Sequence, residues 1–279
     1  MARRVEIAAV ARLELAEVVR SRWLGFAIAV YLALAGIFVL AGLRESTVIG
    51  FTGMGRVLLS FAHALVLLLP LVGLSATGQV VGAAREQGTL ELLLSLPLSR
   101  SGWFAAVSLV RYLVLLLPLL VLMPAMALWG SVAFAQPMPW GFLLRALAVS
   151  ASLLACAVGA GLLVSSHARS PARALIAVLA LWAAVVALLD FALIGLMLQM
   201  RLRPELVLLL AGLNPVQSAR MALLSAAEPE LATLGPVGFF LAHRIGADWL
   251  LVLGVGWPLL LGLGAWSLAL RRLERADVV

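Results

Sequence analysis

The sequence contains no lysine, and its single cysteine is Cys156. All 20 basic residues are arginines, so a P-loop, which needs a lysine on the nucleotide phosphates, is excluded. Schiff-base chemistry and a lysine general base are excluded for the same reason. One cysteine forms no intrachain disulfide and no multi-cysteine metal site. We expect no cofactor and no metal in this chain, and if ATP energises the protein, another chain must hydrolyse it.

Charge is also scarce. Charged residues make up 12% of the 279 residues and hydrophobic residues 64%. Soluble domains average about 25% charged and about 45–50% apolar residues. A single soluble domain of this length could not bury so much apolar surface. The composition therefore predicts an all-α polytopic membrane protein that is surrounded largely by lipid.

Six apolar runs are long enough to cross a bilayer as helices, for which about 20 residues are needed. Internal prolines are tolerated in such helices because neighbouring helices satisfy the freed carbonyls. The six predicted spans are Trp23–Leu43, Val57–Ala84, Ala105–Ala135, Phe142–Ser166, Ala174–Met200 and Trp249–Leu270.

Arginines are distributed unevenly around these spans. With the N-terminus inside, 12 arginines face the cytoplasm and six face the other side, which satisfies the positive-inside rule. The pattern predicts that both termini are cytoplasmic. Arginines that flank spans also argue against a nucleic-acid partner, which would require a basic stripe or patch.

Residues 1–22 have the pattern of an amphipathic helix, which would lie in the inner membrane interface. A plain solvated arm is the alternative. The predicted apolar face holds Ile7, Ala8, Ala11, Leu15, Val18 and Val19, and the predicted polar face holds Arg3, Glu6, Glu14, Glu17 and Arg20.

Residues 201–248 are too long for a simple connection. The pattern predicts an extracytoplasmic helical segment in which two short half-buried helices break at Asn214-Pro215, because the residue before a proline disfavours the helical conformation. We expect this segment to pack at the outer surface.

Residues 85–104, between the second and third spans, begin with the sequence REQGTLELLLSLPLSRSGW. Thr89 is a residue type that caps helices, and Pro97 would end the helix. Three leucines (Leu90, Leu93 and Leu94) would share one face. The leucine face of a cytoplasmic helix needs to be buried, either in a groove on a partner protein or against the protein's own spans.

The stretch AREQGTLELLLSLPLSR resembles the first cytoplasmic loop of ABC-2 type transporter permeases, which have the type V exporter-like fold. Their loop carries an acidic residue and then G-T-x-E-x-L-L-x-x-P-x-x-R. The resemblance implies a coupling helix that docks on a separate ATPase subunit, with ATP and Mg²⁺ bound in that dimeric partner. It implies a six-span permease in the bacterial inner membrane that pairs with a second copy of itself. The implied ATPase-docking residues are Glu86, Gly88, Thr89, Glu91, Leu94, Pro97 and Arg100.

The stretches GLNPVQSARMALL and LGPVGFFLAHRIG resemble the NosY-type permeases within that family. This resemblance implies a periplasmic β-helical partner and a role in maturing the copper sites of nitrous oxide reductase. The expected function is to couple ATP hydrolysis to transport or to mechanical work on that partner. A membrane anchor that transports nothing is the alternative. An intramembrane protease is a further one, although only Ser60 and His63 have suitable spacing.

His63 and Asp190 lie in the outer halves of the second and fifth spans. Ionisable residues inside a membrane are costly and mark functional sites. We expect the two to lie close together, or Asp190 to pair with Arg145, as a polar path or gate. A purely structural pair, or a protonated Asp190, is the alternative.

The arginine asymmetry predicts the outcome of a topology experiment. Reporter fusions after Arg44, Gln136 and Glu228 should report the outside, and fusions after Ser99 and Arg169 the inside. Activity of a periplasmic and a cytoplasmic reporter at each position measures this. One reversed loop contradicts six spans with both ends inside.

Overall fold

The computed structural model describes residues 2–45, 54–89, 91–92, 99–189, 204–227 and 246–275. Within these ranges the regular structure is helical, and no strand occurs. The helices are α1 (Ala2–Arg20), α2 (Arg22–Glu45), α3 (Met54–Thr77), α4 (Val80–Glu86), α5 (Arg100–Ala133), α6 (Trp140–His167), α7 (Pro171–Ala183, continued by the π-helical turn Ala184–Leu188), α8 (Pro204–Leu213), α9 (Pro215–Ala227) and α10 (Ala247–Arg275).

Five stretches of the described chain are long and apolar enough to cross a membrane as they stand. A sixth candidate, Ile7–Arg20 with Trp23–Phe38, qualifies only as a pair of helices bent by 62°. The all-α polytopic fold is therefore confirmed, with five to six candidate spans where the sequence predicts six. The five single stretches are Leu58–Glu86, Arg100–Ala133, Trp140–His167, Pro171–Leu188 and Ala247–Arg275.

Span boundaries differ from the prediction in ways that have a local cause. α5 begins five residues before the predicted Ala105, because the Ser99 hydroxyl accepts a hydrogen bond from the Gly102 amide at 3.1 Å and caps the helix there. α3 continues through Pro70 and ends at Thr77. The predicted end of the fifth span, Met200, lies outside the described residues.

α6 is the central helix and packs at small residues. Gly159 contacts the Gly262 carbonyl of α10, and Gly161 contacts the Thr77 hydroxyl of α3. Burial cannot drive helices together in lipid, so close backbone approach at small residues supplies much of the packing. α6 therefore fixes the positions of α3 and α10.

α1 runs alongside the first turns of α5. A Cβ at Gly102 would lie 3.7 Å from the Ile7 side chain, and further along Val18 packs with Val110 and Val114. Because residue numbers at these contacts increase together on both helices, α1 and α5 lie side by side and run parallel. The interfacial position of α1 stays a prediction, but its partner within the chain is α5.

The α8–α9 pair reaches into the bundle. The helices break at Asn214, as the sequence predicts, and the Trp257 indole nitrogen donates to the Leu213 carbonyl at 2.8 Å. Trp257 lies ten residues into α10, or about 15 Å along its axis. α9 buries its inward face, and the expected position of this segment at the outer surface stays a prediction. The buried residues of α9 are Val216, Ser218, Ala219, Ala222, Leu223 and Ser225.

Asn214 also connects this pair to α7. Its side-chain nitrogen donates to the Val185 carbonyl at 2.7 Å, inside the π-helical turn, and its side-chain oxygen accepts from the Val216 amide at 2.9 Å. A π-helical turn interrupts the regular pattern of backbone hydrogen bonds. The buried side-chain amide of Asn214 therefore satisfies a carbonyl of that turn and also caps α9.

The close packing of α6 on α10 predicts the effect of an added methyl group. A Cβ at Gly262 would lie 2.7 Å from the Ala155 carbonyl oxygen, so Gly262→Ala should destabilise the protein by roughly 1–3 kcal/mol through overpacking. Thermal unfolding in detergent measures this.

Gly264→Ala is the matched control. It lies two residues further on the same helix, and an added Cβ there meets nothing within 4 Å. It should be neutral or stabilise by up to about 1 kcal/mol. Equal unfolding midpoints for the two variants would show that the α6–α10 approach is not close.

Candidate functional site

The coupling loop, residues 85–104, begins at the end of α4 with a turn at Gly88. Gly88 has a φ of 66°, a left-handed conformation that glycine adopts without steric cost. The Leu92 amide donates to the Gly88 carbonyl at 3.0 Å, which places Gly88 at the helix N-cap and Thr89 inside the helix. The expectation that Thr89 caps this helix was therefore wrong.

The start of this helix is exposed. Glu86 and Glu91 are exposed, and Leu92 is 68% exposed. Two of the predicted docking residues, Leu94 and Pro97, lie outside the described residues, as do Leu90 and Leu93 of the predicted leucine face. The described part of the coupling loop thus presents a carboxylate and an apolar side chain on its surface.

α4 is fixed to α6 by one buried hydroxyl. Ser165 Oγ accepts hydrogen bonds from the Val81 amide at 2.8 Å and the Gly82 amide at 3.4 Å. Amides in the first turn of a helix have no partner within the helix, so Ser165 satisfies two of them. Movement of α4 away from α6 would therefore break these hydrogen bonds or displace the carboxyl end of α6.

Arg100 fixes the other end of the coupling loop. Its guanidinium donates to the Leu273 carbonyl at 3.3 Å and the Glu274 carbonyl at 3.0 Å, in the last turn of α10. The last carbonyls of a helix lack partners within it and attract cations. Arg100, predicted as a docking residue, is engaged within the chain, while its docking role stays a prediction.

An ion pair joins α1 to α5 beside this loop. Arg111 Nε donates to Glu14 Oε1 at 2.7 Å, and Arg111 Nη1 donates to the Ala76 carbonyl at 2.5 Å. Glu14 is only 8% exposed because it lies between Val10 and Val18 on the protein-facing side of α1. Its predicted place on the polar face was wrong, since the helix has one apolar stripe against α5 and a second, containing Leu15, that is exposed.

A cavity of about 320 Å³ lies next to this ion pair. It extends from α1 to the ends of α3 and α4 and to the first turn of the coupling helix. Its polar lining residues are Glu14, Glu17, Ser21, Ser75, Gln79, Gln87, Thr89 and Arg111. The cavity therefore separates α1 from the start of the coupling loop, and the Glu14–Arg111 ion pair forms part of its wall.

The predicted outer polar patch is described only in part. His63 Nδ1 lies 2.9 Å from the Leu59 carbonyl, one turn earlier on its own helix. Arg145 lies 3.8 Å from Asp248, whose side chain is 92% exposed. Arg145 therefore has a carboxylate partner other than the expected Asp190. Asp190 lies outside the described residues, and its pairing with His63 or Arg145 stays a prediction. The second and fifth spans are neighbours, since Trp182 Nε1 donates to the Leu67 carbonyl at 3.1 Å.

Sequence reasoning missed Glu14, Arg111 and Ser165. Arg111 carried a usable signal, because an arginine inside a predicted span needs a partner. Helix periodicity placed Glu14 on the wrong face, so the pair was overlooked. Ser165 carried no signal, since a serine that binds amides 84 residues away looks like any other small residue of a span.

Comparison with known proteins covers nearly the whole chain. Residues 8–278 match the family model described as "ABC-2 family transporter protein". The chain is 31% identical over 223 residues to a protein named "Probable ABC transporter permease protein NosY" from Pseudomonas aeruginosa, covering 77% of this chain and 80% of that protein. It is 28% identical over 264 residues to a protein of the same name from Stutzerimonas stutzeri, covering 92% of both.

The ion pair predicts a stability difference between two glutamates of α1. Glu14→Ala leaves the largely buried Arg111 guanidinium without its carboxylate and should cost about 3 kcal/mol. Glu17→Ala, at an exposed position one turn away, should cost less than about 0.5 kcal/mol. The midpoint of thermal unfolding in detergent measures both.

A double variant separates pairing from packing. The double variant Glu14→Leu with Arg111→Leu replaces both charges by apolar groups. It should be less destabilised than the single variant Glu14→Leu or Arg111→Leu, because no unpaired charge remains. If the two single changes simply add, the two side chains do not interact.

Proposed function

The chain belongs to the ABC-2 transporter family and is the permease subunit of an ABC transporter, and we propose that a separate cytoplasmic ATPase docks on its coupling loop. The observation that carries the proposal is the exposed start of the coupling helix, with Glu91 and Leu92 presented between two anchored ends. The lack of any lysine agrees with it, because this chain cannot form a P-loop.

Exposure alone does not make a docking site, but the anchoring around it does support coupling. A displaced coupling loop would pull on α6 through Ser165 and on α10 through Arg100. Hydrogen bonds of this kind transmit displacement because they join rigid helices rather than flexible segments. We propose that ATP binding and hydrolysis in the partner move the loop, and that α6 and α10 carry the motion outward.

The ion pair adds a third connection. Glu14, Arg111 and the Ala76 carbonyl join α1, α5 and α3 next to the start of the loop. A shift of α4 relative to α1 would change the cavity between them, and the ion pair would limit that change. We therefore propose that Glu14 and Arg111 hold the inner ends of the helices together during the cycle.

A second copy of the chain completes the proposed transporter. In the most apolar part of each span, only 17% of α7 and 22% of α10 is buried inside the protein. The buried share is 56% both for the stretch Leu58–Glu86 and for α6. One six-span half does not enclose a two-sided path, so we propose a homodimer in which exposed faces of this kind meet.

We further propose work on a periplasmic partner in copper-enzyme maturation. The support is the resemblance to two permeases named NosY and the α8–α9 pair, which reaches from the predicted outer side into the bundle. Deleting this chain in its own cell should then leave nitrous oxide reductase present without the absorbance of its copper sites. Unaltered copper absorbance would remove this role and leave the permease assignment intact.

Reversing one charge tests the docking proposal. Glu91→Arg places a cation where the partner would meet a carboxylate, so it should abolish co-purification of the ATPase and lower transport-linked ATP hydrolysis at least tenfold. Glu17→Arg makes the same charge change at an exposed position of α1 and should leave both unchanged. Affinity purification from membranes and phosphate release measure the two effects.

Two results contradict the proposal. If Glu91→Arg keeps both co-purification and stimulated hydrolysis, the coupling loop is not the docking site. If Glu17→Arg fails as badly as Glu91→Arg, the loss reflects charge on the inner surface as a whole rather than the coupling helix.

A further inference from the structure

Five arginines from separate parts of the chain surround the inner end of α6. Arg85 lies in the last turn of α4, Arg169 follows α6, and the others are in the last turns of α10. Together with His167 they line an open pocket of about 750 Å³, which we call the arginine pocket: Arg85, His167, Arg169, Arg271, Arg272 and Arg275.

No carboxylate lines this pocket among the described residues. All five arginines are exposed, and their one hydrogen bond within the described chain runs from Arg272 Nε to the Ser166 carbonyl at 3.3 Å. The carboxyl ends of α6 and α10 add about half a negative charge each. The lining of the pocket is therefore strongly positive and attracts an anion.

An apolar groove continues from the arginine pocket. It has a volume of about 600 Å³ and lies between the end of α6 and the first turns of α7. Leu163, His167, Ala168 and Arg169 belong to both cavities, while Val164 and Ala177 extend the groove along the two helices. A small soluble anion would use the pocket and leave the groove without a function.

From this juxtaposition we propose that the arginine pocket binds the headgroup of an anionic phospholipid and that the adjoining groove takes one of its acyl chains. Arginine pairs with phosphate oxygens through two parallel hydrogen bonds. Basic pockets between helices on the cytoplasmic side of a membrane recognise such headgroups. The two cavities meet where a phospholipid's polar and apolar parts meet.

The site has a consequence for the coupling loop. Arg85 is the first residue of that loop and also lines the pocket. A bound phosphate would hold the end of α4 towards the last turn of α10. The lipid would thus favour one position of the loop. The lipid site itself does not depend on the docking proposal.

Native mass spectrometry of the purified full-length protein in detergent tests the site. Phosphatidylglycerol should be retained with at least tenfold higher affinity than phosphatidylcholine of the same chain length. Arg271→Gln with Arg275→Gln should lower phosphatidylglycerol retention at least tenfold. Arg12→Gln with Arg20→Gln, which removes two exposed arginines of α1, should change it less than twofold. If the first double variant does not fold, Arg169→Gln with Arg271→Gln replaces it.

A second arm separates a lipid from a free phosphate. Ala177→Trp fills the groove and should lower phosphatidylglycerol retention without affecting inorganic phosphate, which should bind weakly. Inorganic phosphate that binds as tightly as the lipid, together with no effect of Ala177→Trp, would overturn the proposal in favour of a soluble anion.

Two other results overturn it as well. If the pocket and control variants lose retention equally, the interaction is general surface electrostatics. If the pocket variant keeps the lipid but loses the ATPase, the arginines contact an acidic protein surface instead. Loss of lipid with the ATPase retained supports the lipid site whatever becomes of the docking proposal.

Discussion

Close contact at small residues is the constraint on which the rest of this bundle depends. Apolar side chains gain little by leaving lipid for one another, so helices associate where their backbones can approach. Gly159 and Gly161 give α6 that property on the sides facing Gly262 and Thr77. Because α6 is fixed in this way, Ser165 near its carboxyl end is positioned to cap α4, and the arginines of α10 are positioned around His167.

Several polar contacts lie at helix ends, where the chain makes its connections between spans. Ser165, Arg100 and Arg111 each satisfy backbone groups that a helix end leaves without partners. Unpaired groups of this kind cost about 1–3 kcal/mol each when buried. The same contacts that stabilise the helix ends thus join α4 to α6, the coupling loop to α10, and α5 to α1 and α3.

The sequence predicts the spans well because a span is a local property. About 20 apolar residues suffice whatever lies around them, and the break at Asn214-Pro215 follows from the proline alone. The Glu14–Arg111 pair could not be predicted in this way, since it depends on which side of α1 meets α5. The position of Gly88 at the N-cap can be predicted from the sequence, because glycine adopts the left-handed conformation that threonine disfavours.

The π-helical turn at Ala184–Leu188 changes the phase of α7. Ala174 and Val178 are buried at helical spacing, and two further regular turns would bury residue 185, yet Val186 is the buried residue. One inserted residue rotates the helix face by about 100° around the helix axis. A helical wheel drawn from the start of α7 therefore places Val185 rather than Val186 on the buried face. The Asn214 side chain, bonded to Val185, lies at the point where this change of phase occurs.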